Sequence, residues 1–131
     1  MSARSGVLRP LESLVEPGGA SRHGCVILAL CAQWCGTCRE FERVMACLAA
    51  DHPEHTFVWA DIEDAAERVG DIEVENFPTL AIYAGGKPVY FGAVLPQAAV
   101  VEQLVRALAT GHPLSAIPTE VEALGTALRL G

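Results

Sequence analysis

Residues 25–48 read CVILALCAQWCGTCREFERVMACL, and the period of the chain changes once within them. The stretch opens on an unbroken apolar run from Cys25 to Ala32, the pattern of a central strand buried on both faces. From Cys35 onward, Cys38, Phe41, Met45 and Leu48 recur at spacings of three and four, with Arg39, Glu40, Glu42 and Arg43 between them. That is an amphipathic helix. Asp51, His52 and Pro53 stop it. A buried strand thus hands over directly to a helix, and two cysteines sit at the junction.

Working outward, Val7 to Arg9 suits a short edge strand, and Pro10 to Glu16 a short helix with proline near its start. Pro17-Gly18-Gly19 ends that helix, and a loop runs to His23. Downstream, Thr56 to Ile62 reads as a second buried strand, and Glu63 to Val69 as a short acidic helix closed by Gly70. Phe77-Pro78 leads into a strand over Thr79 to Ala84. Gly85-Gly86 makes a tight turn, and Pro88 to Ala93 returns as the antiparallel partner. Pro96 to Thr110 is a helix with Val100, Val101, Leu104, Val105 and Leu108 on one face and Gly111 as its stop.

The order is β-α-β-α-β-β-α. A parallel unit followed by a hairpin predicts an α/β fold with one mixed sheet and helices on both faces. Residues 1–111 are expected to form this domain, its core spanning about 7–110, with 112–131 as a C-terminal extension. Thr119 and Glu122 make a capping-box pattern ahead of Val121, Leu124, Ala127 and Leu128, so a short docked helix is expected there. There is no internal repeat and no low-complexity segment.

Composition narrows the function classes. Leu, Ile, Val and Phe supply 36 of 131 residues, which argues against disorder. A chain of this length buries roughly two-thirds of its unfolded surface, so its core needs no staples. With 16 acidic and nine basic residues the formal charge is −7, which disfavours nucleic acid and anionic membrane surfaces as partners. The apolar run is far short of the roughly 20 residues that span a bilayer. Arg4 and Arg9 are followed by Pro10, Glu12 and Glu16 rather than an apolar segment, so no signal peptide is read. A cytoplasmic location is expected.

Five cysteines, at 25, 31, 35, 38 and 47, are then the odd feature. A reducing cytosol disfavours structural disulfides, and an odd number cannot pair completely within one chain. Cys35 falls at a helix N-terminus, where unpaired N–H groups and the macrodipole favour negative charge. Cys38 lies one turn further, and Gly36 allows tight geometry between them. The expected chemistry has two steps. Cys35 attacks a disulfide to give a mixed disulfide, and Cys38 then attacks Cys35 and releases the reduced product. The second step is intramolecular and gains from effective concentration. A zinc site is the competing reading of Cys-x-x-Cys. It is disfavoured because no second such pair or matching histidine pair follows at zinc spacing, and His52 and His55 around Pro53 read as solvated. No metal and no separate cofactor are expected.

Trp34-Cys35-Gly36-Thr37-Cys38 after a buried strand, Phe77-Pro78-Thr79 about 40 residues later, a Gly-Gly hairpin and Gly92 on the returning strand together resemble the thioredoxin family. The resemblance covers roughly residues 7–110 and agrees with the element order read above. It implies a thiol–disulfide oxidoreductase that reduces or exchanges protein disulfides through a redox-active Cys35–Cys38 disulfide. Cys35 is then the nucleophile and Cys38 the resolving, more buried thiol. Pro78 corresponds to the family's cis-proline, which presents the backbone around Phe77 and Thr79 to an extended substrate strand. Trp34, Phe77, Gly92 and Ala93 complete an apolar rim, and Arg39 helps hold the thiolate.

Three departures from the family pattern stand out. Thr37 replaces the proline between the cysteines, which is expected to loosen the first turn and raise the reduction potential above about −270 mV. Ala29 replaces a buried aspartate, and Trp59 replaces its lysine partner. The pair changes together, so no buried charge is stranded, but help with proton transfer at Cys38 is lost. Cys31 stands where the family has a large aromatic residue, and slower turnover is expected. Cys25 and Cys31 read as small core hydrophobes. Cys31 is also a candidate for an alternative disulfide under oxidation, although strand geometry is expected to point it away. Cys47, at the edge of the helix's apolar face, is a candidate surface thiol.

Asp61 to Glu75 holds seven acids against Arg68 and carries most of the net charge. It reads first as a solvated segment. The sharper reading is that it selects substrate proteins with basic surfaces. Electrons are expected from a reductase or a small thiol. The competing function is a binding or redox-sensing module of the same fold with little general reductase activity, and Ala29 with Trp59 is the feature that favours it.

Overall fold

Every residue of strand β2 (Cys25–Cys31) is buried, as its continuous apolar sequence requires of a strand covered on both faces. The structure, a computed structural model, describes residues 8–10, 25–32, 35–63, 72, 74, 76–84, 87–108 and 117–127. Around β2 stand β1 (Arg9–Pro10), α1 (Gly36–Asp51), β3 (Thr56–Asp61), β4 (Thr79–Ala84), β5 (Lys87–Ala93), α2 (Ala98–Leu108) and α3 (Thr119–Ala127). The described strands form one mixed sheet in the order β1-β3-β2-β4-β5. β2 runs parallel to β3 and antiparallel to β4. The expected α/β architecture is therefore the one observed.

Alternation along β2 divides the core in two. Cys25, Ile27, Ala29 and Cys31 face the layer formed by α1 and α2, where they meet Phe41, Met45, Leu48, Val101 and Leu108. Val26, Leu28 and Leu30 face the opposite layer, with Val58, Ala81, Tyr83 and the α3 residues Val121 and Leu124. Helices thus cover both faces of the sheet.

α1 buries Cys38, Phe41, Met45, Leu48 and Ala49 on its inner stripe. It ends at Asp51, and His52 closes it by donating its N–H to the Leu48 carbonyl at 2.9 Å. α2 starts at Ala98, two residues later than its apolar pattern suggests, because the Gln97 carbonyl receives the first turn's N–H groups from Val100 and Val101. β5 includes Lys87, one residue more than expected. Pro88 is accommodated because β5 is an edge strand. Pro10, expected to start a helix, lies instead in the edge strand β1, which pairs in parallel with β3. The rest of the expected helix to Glu16 and the loop to His23 lie outside the described residues. So do residues 64–69 of the expected acidic helix with its Gly70 stop, the Gly85-Gly86 turn and the Gly111 stop.

α3 is fixed by one specific polar contact. The Tyr83 hydroxyl donates to the Val121 carbonyl at 2.7 Å within the buried layer. Burial pushes the Tyr83 phenol well above its usual pKa, so it remains a neutral donor.

Candidate thiol redox site

Three chain segments meet at one end of the sheet. β2 ends at Cys31, and the Ala32 carbonyl accepts the Cys35 N–H at 3.1 Å, which turns the chain into α1. Cys35 is the N-cap of that helix, with extended backbone (φ −89°, ψ 118°), and its carbonyl accepts the Arg39 N–H at 3.2 Å. The first turn has no acidic residue, so its outward-pointing N–H groups and the helix dipole favour negative charge beside Cys35.

Residue exposure separates the thiols. Cys35 is half-buried at the border of the α1 layer, whereas Cys38, on the first inward-facing position of α1, is 1% exposed. Gly36, Thr37 and Arg39 are exposed. Trp34 lies outside the described residues.

The second segment precedes β4. The Phe77-Pro78 peptide bond is cis, as the family resemblance implied. Antiparallel pairing of Leu30 with Thr79 brings this turn to the end of β2 that carries Cys31. The Pro78 carbonyl accepts the Val94 N–H at 3.0 Å, and the Thr79 hydroxyl donates to the Asn76 carbonyl at 2.6 Å. The third segment is the end of β5, where Gly92 pairs with Leu80 and Ala93 with Thr79. A Cβ on Gly92 would lie 3.1 Å from the Tyr90 hydroxyl, so a side chain there requires the end of the Tyr90 ring to give by a few tenths of an ångström. Phe77, Val94, Trp59 and Cys35 all border the α1 layer, so the fold gathers the segments that the rim residues come from. Asn76 and Val94, which hold the proline turn in place, carry no motif that marks them in sequence.

The disulfide of the structure joins Cys31 to Cys38, with Cα atoms 5.8 Å apart, inside the usual range for a disulfide. Cys35 is a free thiol. The family resemblance implies a Cys35–Cys38 pair, with Cys31 turned away by the strand; the bond falls instead on Cys31. The reason is parity. Cys31 is two residues beyond Ala29, so both side chains point into the α1 layer. Cys38 projects into the same layer from the helix above. Cys31 is 0% exposed, and its carbonyl accepts the Ile62 N–H at 2.9 Å, which pins the strand end.

Of the remaining cysteines, Cys25 is buried and Cys47 exposed, and both are free. Burial pushes the Cys25 thiol up, which keeps it protonated. Among the described residues, no three His, Cys, Asp or Glu side chains converge as a metal-binding group. No helix among them is long and apolar enough to cross a membrane.

A second polar cluster lies at the far end of α1. His52 Nε2 meets Glu102 at 3.0 Å, and Glu54 lies 3.5 Å from His52 and 3.7 Å from His55. The Cys25 N–H donates to His55 Nδ1 at 2.9 Å. That nitrogen must therefore be unprotonated, which places the ring's hydrogen on Nε2. These side chains line a cavity of about 250 Å³ between α1, β3 and α2.

A mixed sheet with a free cysteine at a helix N-cap, a buried cysteine one turn on and a cis-proline at the same sheet end defines the class of dithiol proteins built on this fold. The family model for thioredoxin matches residues 19–106, and the chain belongs to the thioredoxin family. It is 33% identical over 66 residues to thioredoxin of Chlamydia trachomatis, covering 50% of this chain and 65% of that one. It is 30% identical over 70 residues to thioredoxin-2 of Saccharomyces cerevisiae, covering 53% and 67% respectively. The chain thus matches just under two-thirds of the chlamydial protein. Among solved structures, thioredoxin from Trypanosoma brucei brucei superposes with a TM-score of 0.65 at 24% identity, over 84% of this chain and 97% of that one. A poplar thioredoxin h superposes with a TM-score of 0.62 at 20% identity, over 79% and 96%. These two likenesses concern the fold.

Proposed function

We propose that this chain is a thiol–disulfide oxidoreductase that reduces or exchanges protein disulfides. One observation carries the reading: Cys35 is a free, half-buried thiol at the N-cap of α1, with the buried Cys38 one helical turn behind it. Cys35 attacks a substrate disulfide, forming a mixed disulfide and releasing one substrate thiol. In the chain with the Cys31–Cys38 bond reduced, the Cys38 thiol then attacks the Cys35 sulfur and releases the second. The substrate approaches over Phe77, Pro78, Thr79, Gly92 and Ala93, with Trp34 as a further member of the apolar rim and Arg39 supporting the nucleophile. The acidic segment from Asp61 favours basic substrate surfaces. Electrons return from a reductase or a small thiol in a reducing cytoplasm, and no further cofactor enters.

The test is acceleration of insulin reduction by dithiothreitol, with loss of acceleration in Cys35→Ser. A second reading, a binding or redox-sensing module, draws on the Ala29–Trp59 pair, which puts two apolar residues where the family commonly carries an aspartate and a lysine. Absence of any acceleration by the wild-type chain supports that reading over the first.

A further inference from the structure

Cys38 stands between two cysteines along the chain and the fold, one of them bonded to it. Cys35 precedes it by one helical turn, and Cys31 lies beneath it on β2, already joined to it. The two disulfides differ in what they leave behind. A Cys35–Cys38 bond leaves a lone thiol at Cys31, enclosed in the core. A Cys31–Cys38 bond places both sulfurs of the disulfide in the apolar layer, where no charge needs solvation. It leaves the lone thiol at Cys35, half-exposed at a helix start that supports negative charge.

We propose that Cys31 is a third redox-active thiol, which moves the disulfide inward from Cys35–Cys38 to Cys31–Cys38 and restores Cys35 as a free thiol. The proposal rests on the oxidoreductase reading above. In the added step the Cys31 sulfur attacks the Cys38 sulfur. The Cys31–Cys38 bond forms, the Cys35–Cys38 bond breaks, and the electron pair departs on Cys35. The proton leaving Cys31 is matched by the one Cys35 can take up from solvent. No electrons are gained or lost, so the substrate disulfide remains the sole oxidant.

Two features make the exchange selective. Neither Cys31 nor Cys38 is accessible, so an external disulfide reaches the inner pair only through Cys35. Cys25 shares the same face of β2 as Cys31 but lies at the other end of the strand, beside His55. The oxidised chain is then distinct from a two-cysteine oxidoreductase: it holds one disulfide and still presents its nucleophile.

Peptide mapping of the whole chain tests this. Reduced protein is oxidised with excess insulin, quenched in N-ethylmaleimide under denaturing conditions and digested without reduction. The wild type is expected to yield a Cys31–Cys38 link with Cys35 labelled. Cys31→Ala should yield a Cys35–Cys38 link and lose the Cys35 label. Cys35→Ser should stay reduced at Cys31 and Cys38, because insulin cannot reach them. A wild-type chain linked through Cys35–Cys38, or oxidation of Cys35→Ser at the wild-type rate, overturns the relay and leaves the reductase reading intact. Diamide in place of insulin separates the two ideas without any variant. If insulin leaves the wild type reduced, the reductase reading fails. A Cys31–Cys38 link formed by diamide then still upholds the inner pair, and a Cys35–Cys38 link overturns it.

Discussion

Ala29 on β2 lies directly across from Trp59 on β3, and both residues contribute to the layer beneath α1. The Trp59 ring packs 6.3 Å from that of Phe41, which is fully buried on the helix. An apolar pair thus occupies a place where the family commonly carries two charges. Ala29→Asp alone would bury a carboxylate among apolar side chains with no partner, and should cost about 3 kcal/mol or more. Adding Trp59→Lys should recover part of that loss. Urea unfolding of both variants checks this, and equal stability of the single variant and the wild type would refute the account.

The Phe41 contact makes a second prediction. Phe41→Ala removes a ring that meets both Trp59 and the β2 face, and should destabilise the chain by about 3–5 kcal/mol. Phe41→Leu keeps most of the volume and should cost less than half as much. The midpoints of denaturant unfolding decide it.

Tyr83→Phe deletes the hydroxyl that donates to the Val121 carbonyl and removes this hydrogen bond from the buried layer. The expected loss is about 0.5–1.5 kcal/mol. Because the contact joins β4 to α3, hydrogen exchange should rise first in Thr119–Ala127. Uniform exchange across the whole chain would mean that α3 is not held there.

The two histidines at the far end of α1 respond to pH in opposite directions. The hydrogen bond to Glu102 raises the His52 pKa, with Glu54 adding to it against partial burial. Its stabilising contribution is complete below the unfolded value near 6.5 and is lost as pH rises through the higher folded value. Burial lowers the His55 pKa, with Glu54 opposing. Its contribution is present above about 6.5 and is lost as pH falls through the lower folded value. The Cys25 N–H bond to Nδ1 is lost with it. Glu102→Gln should therefore lower stability below about pH 6.5, where the His52 contribution is complete, and leave it unchanged above the folded value. With His52 one-third exposed, the effect should stay under about 1 kcal/mol. Thermal unfolding between about pH 5 and pH 8 checks the sign.

Much of this architecture is legible in sequence, because period-two and period-3.6 patterns report burial directly. The run from Cys25 to Ala32 and the stripe of Cys38, Phe41, Met45 and Leu48 define the central strand and the helix after it without tertiary information. Ala29 and Trp59 were matched as a pair from family pattern, and the parallel register places them opposite each other. Turn and edge positions were less readable. Pro10 suits a helix start or an edge strand equally well, and only its pairing with Trp59 settles which.

Sequence alone was enough to determine the fold class, the junction at Cys35 and the inward position of Cys38, since each follows from local periodicity and chain order. It could not decide which sulfur Cys38 meets. That depends on the side of β2 from which Cys31 projects and on the height at which α1 crosses the strand, and both are set by packing between elements. Spacing along the chain pointed to Cys35. The layer shared by β2 and α1 brought Cys31 to Cys38 instead.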